Sequence, residues 1–335
     1  MNRFAQILKD RGDLEYKDAY AMQHSILKGE LGTKELVEIF SLMESRYPSL
    51  EEMNGIIAAT RESMVPVNIE SDALDIVGTG GDGLKTFNIS TAASIVCAAS
   101  GVPVAKHGNR SASSRCGSAD VLGALGVNIM LDADKSVTCF EKTGMVFLFA
   151  PLFHPSLKNA AEARKAFGKR TYFNILGPLV NPAKVSHQTL GVFDPQITSL
   201  MGETSIKNGA KSIWVVRSND GMDEISLFSL PDVKAFSPHV PEGAEVKFHY
   251  ELSKSGIEEI QVKDVNESAC IITNIFDNDA TEVQTQTVII NAAVGLMTYG
   301  DSKSFGEAVD RATEVIKSGR AMKKLQQLIE VSNHV

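Results

Sequence analysis

The stretch Leu74-Asp75-Ile76-Val77-Gly78-Thr79-Gly80-Gly81-Asp82-Gly83-Leu84-Lys85-Thr86-Phe87-Asn88-Ile89-Ser90-Thr91 sets the reading of this chain. A short apolar strand, Leu74 to Val77, runs into a glycine-dense turn, and a helix is predicted from Ser90 to Ser100. The turn satisfies the GxGxxG spacing of a dinucleotide fold, but its context does not. The next helix starts only near Ser90, and Gly101 to Val104 followed by Lys106 stands where an acidic ribose ligand belongs. A Walker A loop is excluded too, because Leu84 separates the last glycine from Lys85-Thr86. What remains is a tight turn at the carboxyl end of a strand, either a plain turn or a cradle whose amides approach an anion.

Outward from this stretch the same texture recurs. Strands are predicted at Val102 to Ala105 and Met145 to Ala150, with a helix at Ser118 to Leu125 between them. After an interruption from Pro151 to Gly168 come strand Thr189 to Phe193, helix Ile197 to Asn208 and strand Ser212 to Val216, then helices after Ile290 and Ser304. Gly101, Gly126 and Gly144 each follow a helix, where the left-handed C′ position favours glycine. Strands alternating with helices predict a mostly parallel sheet. The first 65 residues read instead as helices throughout, with apolar residues at helical spacing (Phe4, Ile7, Leu8; Leu36, Ile39, Phe40, Met43). Ser49-Leu50-Glu51-Glu52 has the form of a capping box, and Pro66 follows the helix it opens. The expected architecture is an α/β protein with a small all-helical N-terminal domain and a larger mostly parallel domain.

Composition narrows the function classes. The chain has 335 residues, 43% hydrophobic and 22% charged, with a net charge of −8. That is globular composition, and at roughly 100 to 200 residues per domain it suggests two domains. An acidic balance without a long basic run argues against nucleic-acid binding. The longest apolar run, Gly144 to Phe153, is too short to cross a membrane. Cys97, Cys116, Cys139 and Cys270 form no CxxC pair, and Met1-Asn2-Arg3-Phe4 opens no secretory signal, so a cytoplasmic protein is expected.

Three further clusters carry candidate chemistry. Asn88-Ile89-Ser90-Thr91 is either an ordinary N-cap or the point where helix amides and hydroxyls face an anion. Lys106-His107-Gly108-Asn109-Arg110 follows the second strand, with Ser111, Ser113, Ser114 and Ser118 beside it. Two successive strand ends rich in glycine and hydroxyls, one of them cationic, point to a phosphate-bearing ligand in a strand-end crevice. Asp223-Glu224 follows the turn Ser218-Asn219-Asp220-Gly221 and enters a predicted strand, Ile225 to Leu230. This pair is either a solvated turn or two hard oxygen ligands for Mg2+. The histidines form no HxxxH pair, and no Gly-x-Ser-x-Gly elbow is present.

Together these residues resemble the anthranilate phosphoribosyltransferase family, within the class III phosphoribosyltransferase and nucleoside phosphorylase superfamily. The resemblance rests on GTGGDG at 78–83, TFNIST at 86–91, KHGNR at 106–110, GSAD at 117–120, FHP at 153–155 and GKRTYFNILGPLVNPA at 168–183. GMDEIS at 221–226 and INAAVGL at 290–296 add to it. The segment from Leu230 to about Thr285 matches poorly, and Ser156-Leu157 and Glu162-Ala163 depart from the pattern.

The resemblance implies transfer of a phosphoribosyl group from phosphoribosyl pyrophosphate to the amine of anthranilate. By position, phosphoribosyl pyrophosphate would be held by Gly78, Thr79, Gly80, Gly81, Asp82, Thr86, Asn88, Ile89, Ser90 and Thr91, and by Lys106, His107, Gly108, Asn109, Arg110, Ser111, Ala112, Ser113, Ser114 and Ser118. Ser90, Asp223 and Glu224 match the Mg2+ ligands, with two ions expected. Gly78, Asn109 and Arg164 match anthranilate contacts, with His107 and His154 lining the same channel. A planar guanidinium pairs bidentately with a carboxylate, although Arg164 also sits in a generally basic helical segment. The resemblance further implies a helical domain, 1–69, completed by an insertion at about 151–170, an α/β domain of 70–150 and 171–335, and a homodimer. Neither nucleic acid nor membrane is an expected partner. The rival readings are a pyrimidine nucleoside phosphorylase-like enzyme and a noncatalytic nucleic-acid-binding relative.

Overall fold

Apolar stripes with helical spacing give the first 63 residues four helices, α1 (Arg3–Arg11), α2 (Tyr16–Lys28), α3 (Thr33–Met43) and α4 (Leu50–Ser63), in a computed structural model that describes residues 2–44, 46–110 and 116–335. The capping box forms as the sequence predicts. Ser49 Oγ accepts from the Glu52 amide at 3.2 Å, and the Glu52 carboxylate accepts from the Ser49 amide at 2.7 Å. Glu52 is fully buried, and it also accepts two N–H groups of Arg46, at 2.6 and 2.7 Å, and the Leu14 amide at 2.9 Å. One carboxylate thus caps a helix and ties three segments.

The chain then enters the sheet with β1 (Leu74–Gly78), α5 (Ile89–Ala99), β2 (Val104–Gly108), α6 (Ser118–Ala124), α7 (Ala133–Thr143) and β3 (Met145–Phe149). Gly101, Gly126 and Gly144 have positive φ, as the predicted stops require. Residues 150–180 return to the N-terminal helices through α8 (Ala150–Phe153), α9 (Ala161–Phe167) and α10 (Phe173–Leu176). There Phe40 of α3 meets Phe167, Tyr172 and Phe173 edge-on at 5.9 to 6.1 Å. One apolar core contains Phe4, Phe40, Ile56, Ala163 and Phe173 and continues onto Leu190 and Val192 of the sheet.

The remaining elements are β4 (His187–Gly191), α11 (Thr198–Lys207), β5 (Ser212–Ser218), β6 (Pro231–Ser237), β7 (Val240–Glu245), α12 (Val265–Phe276), α13 (Glu282–Tyr299), α14 (Phe305–Lys317) and α15 (Arg320–His334). The strand order is β3-β2-β1-β4-β5-β6-β7, parallel from β3 to β5 and antiparallel beyond. β1 pairs with β4 along its whole length, from Leu74↔His187 to Gly78↔Gly191, but with β2 only at Leu74↔Val104. Beyond that point side chains replace the ladder. Asn181 Nδ2 donates to the Ala105 carbonyl at 2.8 Å, Asp75 accepts the His107 amide at 3.3 Å, and Lys106 Nζ donates to the Ile76 carbonyl.

Two sequence expectations are corrected. Ile225 to Leu230 is not a strand, because side chains occupy its backbone groups. Asn291 brackets Ile225, accepting from its amide and donating to its carbonyl, each at 2.9 Å, and Ser218 Oγ accepts the Ser226 amide. The last helical layer also begins earlier than Ile290, at a Thr281–Gln284 capping box. Among the described residues, no helix is long and apolar enough to cross a membrane.

Candidate active site at the strand ends

The carboxyl ends of the neighbouring strands β2, β1 and β4 lie side by side, and the glycine loop leaves the central one. After Gly78 the chain turns through left-handed backbone at Gly80 and Gly81, φ +64° and +87°, conformations that a Cβ would strain. Gly78 and Gly191 are small for another reason. A Cβ on Gly78 would lie 2.4 Å from Asp223 Oδ2, and one on Gly191 would lie 1.8 Å from the Asp223 carbonyl oxygen. Asp223 therefore rests on the ends of β1 and β4, and its Oδ2 accepts the Gly80 amide at 2.8 Å.

Asp82, Asp223 and Glu224 bring carboxylate oxygens within 4.8 Å of one another. Burial first, and then repulsion from Asp82, pushes the Asp223 carboxyl up to about 6, while burial and its two acidic neighbours hold Glu224 well above the usual carboxylate range. Glu224 Oε2 is buried with no hydrogen-bond partner. Three crowded hard-oxygen donors, one of them orphaned, fit a divalent cation and are ill-suited to stand alone. The turn that carries two of them is held by Ser218 Oγ on the Glu224 carbonyl, Ser226 Oγ on Asp220, and Tyr250 Oη on the Ser226 carbonyl.

At the start of α5, Asn88 Oδ1 caps the Thr91 amide at 3.1 Å. Ser90 is half-buried beside it and accepts Lys106 Nζ at 3.3 Å. Ile89 and Thr91 are fully buried, and their amides are taken by the Phe87 carbonyl and Asn88 Oδ1. Lys106 is 2% exposed, with its ammonium turned into the gap between β1 and β2 and facing Asp75 and Glu224. Gly108 gives Ser118 Oγ its room, and Asn109 and Arg110 are exposed beyond it, with Arg110 paired to Asp120 at 3.2 Å. Ser111, Ala112, Ser113 and Ser114 lie outside the described residues. Thr79 bonds to β4 through the Gly191 carbonyl, and Thr86 pairs with Gln261 in an isolated bridge.

Arg164 of α9 stands 5.3 Å from the Phe173 ring. It is half-buried, burial lowers its pKa, and among the described residues it has no carboxylate partner. His107 and His154 face each other with ring centroids 5.2 Å apart. Burial lowers their pKa values to about 3 and about 4, so both are neutral at pH 7. His154 Nε2 is 2.9 Å from the Val180 carbonyl, and His107 Nε2 is buried without a hydrogen bond.

Several contributors escaped the sequence reading. Arg170 donates to the Gly81 carbonyl and lies 3.9 Å from the Phe193 ring, joining the 151–170 insertion to the glycine loop. The exit of that loop is pinned by a segment with little family pattern. The Phe87 amide donates to the Ile260 carbonyl at 2.8 Å, the Val262 amide to the Lys85 carbonyl at 2.9 Å, and Gln261 Nε2 to the Leu84 carbonyl at 2.9 Å. No local signal marks Gln261, whereas Asn181 and Asn291 stand inside the quoted runs at 168–183 and 290–296.

The chain is similar to known proteins over nearly its whole length. Residues 70–322 match the family described as glycosyl transferase family, a/b domain. The anthranilate phosphoribosyltransferase of Bacillus subtilis (strain 168) is 37% identical over 333 residues, covering 98% of this chain and 97% of its own. That of Alkaliphilus metalliredigens (strain QYMF) is 38% identical over 327 residues, covering 97% and 96%. The crystal structure of the Thermus thermophilus enzyme superposes with a TM-score of 0.88 at 32% identity, covering 98% of this chain and 99% of that one. A Saccharomyces cerevisiae anthranilate phosphoribosyltransferase in complex with PRPP and Mg shares the fold at 23% identity, with a TM-score of 0.85 over 96% of this chain and 94% of that one. The chain belongs to the anthranilate phosphoribosyltransferase family.

Proposed function

We propose that the protein transfers the phosphoribosyl group of phosphoribosyl pyrophosphate to the amino group of anthranilate, releasing pyrophosphate. The observations that carry this reading are a left-handed glycine turn at a strand end beside three clustered carboxylates, and a half-buried guanidinium that has no carboxylate partner among the described residues. In this reading Asp82, Asp223 and Glu224, with Ser90, hold Mg2+, and two ions accompany the substrate. When bound, Mg2+ supplies the positive charge that stabilises the departing pyrophosphate. The glycine loop and the first turn of α5 orient the phosphates, and the Arg164 fork fixes the anthranilate carboxylate so that its amine faces the ribose. Neutral His107 and His154, packed against each other, add no charge beside the developing ribosyl cation. An arylamine is already neutral near pH 7, so catalysis rests on positioning and electrostatics and not on a strong base.

We also infer that the helices of 1–69 and the insertion at 151–170 form one domain that closes on the α/β domain, and that two copies associate through the helical domain. A reducing, cytoplasmic setting suits Cys97, Cys116 and Cys139, which are buried free thiols. The test is the fluorescence of phosphoribosylanthranilate formed from both substrates and Mg2+. Phosphorolysis of a pyrimidine nucleoside, or a nucleic-acid mobility shift without product formation, would assign the protein to one of the rival readings.

A further inference from the structure

Asp75 stands out within an otherwise apolar strand segment, with 0% exposure. A buried carboxylate is costly unless every oxygen is matched, and a valine there would let β1 and β2 continue their ladder. Instead the two oxygens of Asp75 hold the strands apart. Oδ1 accepts the His107 amide at 3.3 Å, and Oδ2 accepts Asn181 Nδ2 at 2.9 Å, while the same Nδ2 donates to the Ala105 carbonyl at 2.8 Å. The splay this creates is occupied by the Lys106 side chain, whose ammonium bonds to the Ile76 carbonyl and to Ser90 Oγ, with the Asp75 charge facing it. Asp75 thus holds β2 on either side of Lys106, through the His107 amide and through the Asn181 bridge to Ala105, and Lys106 in turn reaches a hydroxyl at the start of α5.

We propose that Asp75 is a positioning residue of the transferase: it holds β2 in the splayed arrangement that lodges Lys106 against Ser90, and so sets the phosphate wall of the site without touching substrate. This rests on the transferase reading above. Packing alone does not require a carboxylate at this place. The separation of β1 from β2 does, because it leaves backbone groups at Ala105, His107 and Ile76 that only polar side chains can satisfy.

Steady-state kinetics on the full-length wild type, Asp75→Asn, Lys106→Met and the double variant test the proposal, with thermal melting of each. Asp75→Asn is expected to raise the KM for phosphoribosyl pyrophosphate roughly tenfold and to leave that for anthranilate within about twofold. In the Lys106→Met background the same change should add less than about twofold, since its effect runs through Lys106. A lower melting temperature with a uniformly reduced kcat and unchanged KM values would overturn the proposal, as would fully additive losses. Should Asp75→Asn fail to fold, Asn181→Ala cuts the link to β2 and is expected to give the same selective rise; an unselective loss would count against the idea. Absence of product with the wild type would instead remove the transferase reading. The melting shift caused by Mg2+ with pyrophosphate then decides, being smaller in Asp75→Asn if the proposal holds and unchanged if it does not.

Discussion

Arg164 and the Asp82–Asp223–Glu224 cluster carry opposite charges, and each gives a prediction. Losing a charge-assisted contact of about 1.5 to 3 kcal/mol, Arg164→Ala should lower kcat/KM for anthranilate roughly 10- to 150-fold and raise its KM far more than that of phosphoribosyl pyrophosphate. Arg164→Lys should recover little, because a point charge cannot reproduce the fork. Equal damage to both KM values would move the carboxylate site toward Asn109 and His107. The acidic cluster predicts a pH dependence. Without a cation the folded Asp223 carboxyl titrates near 6 against an ordinary value of 3.8. Above that window the unfolded chain is ionised and the folded one is forced to be, so this group costs stability as pH rises from about 4 to about 6. A cation removes that cost only where the carboxylates are free of protons. Mg2+ with pyrophosphate should therefore raise the melting temperature more at pH 8 than at pH 5.5. The Asp223→Ala/Glu224→Ala variant should lose most of that difference, which separates it from pyrophosphate's own titration. A wild-type shift of the same size at both pH values would argue against a metal site here.

At the scale of single elements, α4 shows how position decides what a charge contributes. Glu52 is fully buried, caps α4, and takes both Arg46 N–H groups and the Leu14 amide. Removing it strands several donors, so Glu52→Ala should cost about 3 kcal/mol in denaturant titration. The Lys9–Glu38 pair, though equally short at 2.7 Å, has side chains 41% and 35% exposed, and Glu38→Ala should cost less than about 1 kcal/mol. Similar losses from the two substitutions would mean that the cap and the buried pair contribute nothing beyond surface electrostatics. The same logic explains the turn at 218–226. Ser218, Ser226 and Asn291 bond to it from three sides, and this holds the acidic pair beside the glycine loop.

For the whole molecule, the arrangement of layers sets the remaining expectation. Four short N-terminal helices form too small a unit to bury every apolar stripe, and the 150–180 segment and the faces of β4 and β5 supply part of the missing surface. A second copy supplies the rest in the proposed homodimer. Sedimentation at micromolar concentration should give about twice the mass of one chain, and a monomer there would remove the idea.

The local devices are legible in the amino-acid sequence: the strand–glycine loop–helix unit at 74–99, the stops at Gly101, Gly126 and Gly144, the Ser49–Glu52 cap, and the residue types that could hold phosphate, cation and carboxylate. Each is written in a few consecutive residues, because turn conformation, capping and burial period are set by neighbours along the chain. How those parts meet depends on the folded packing. Asp82 joins a pair more than 140 residues away, Gln261 pins a loop it follows by 177 residues, and Ile225 to Leu230 forgoes the sheet because Asn291 and Ser218 take the backbone groups at its start. Lys106 carries the local signal of an exposed phosphate ligand, yet it is buried against Ser90, because Asp75 and Asn181 open the gap that receives it. Those placements depend on which distant polar groups share one desolvated space, and no stretch of neighbouring residues specifies that.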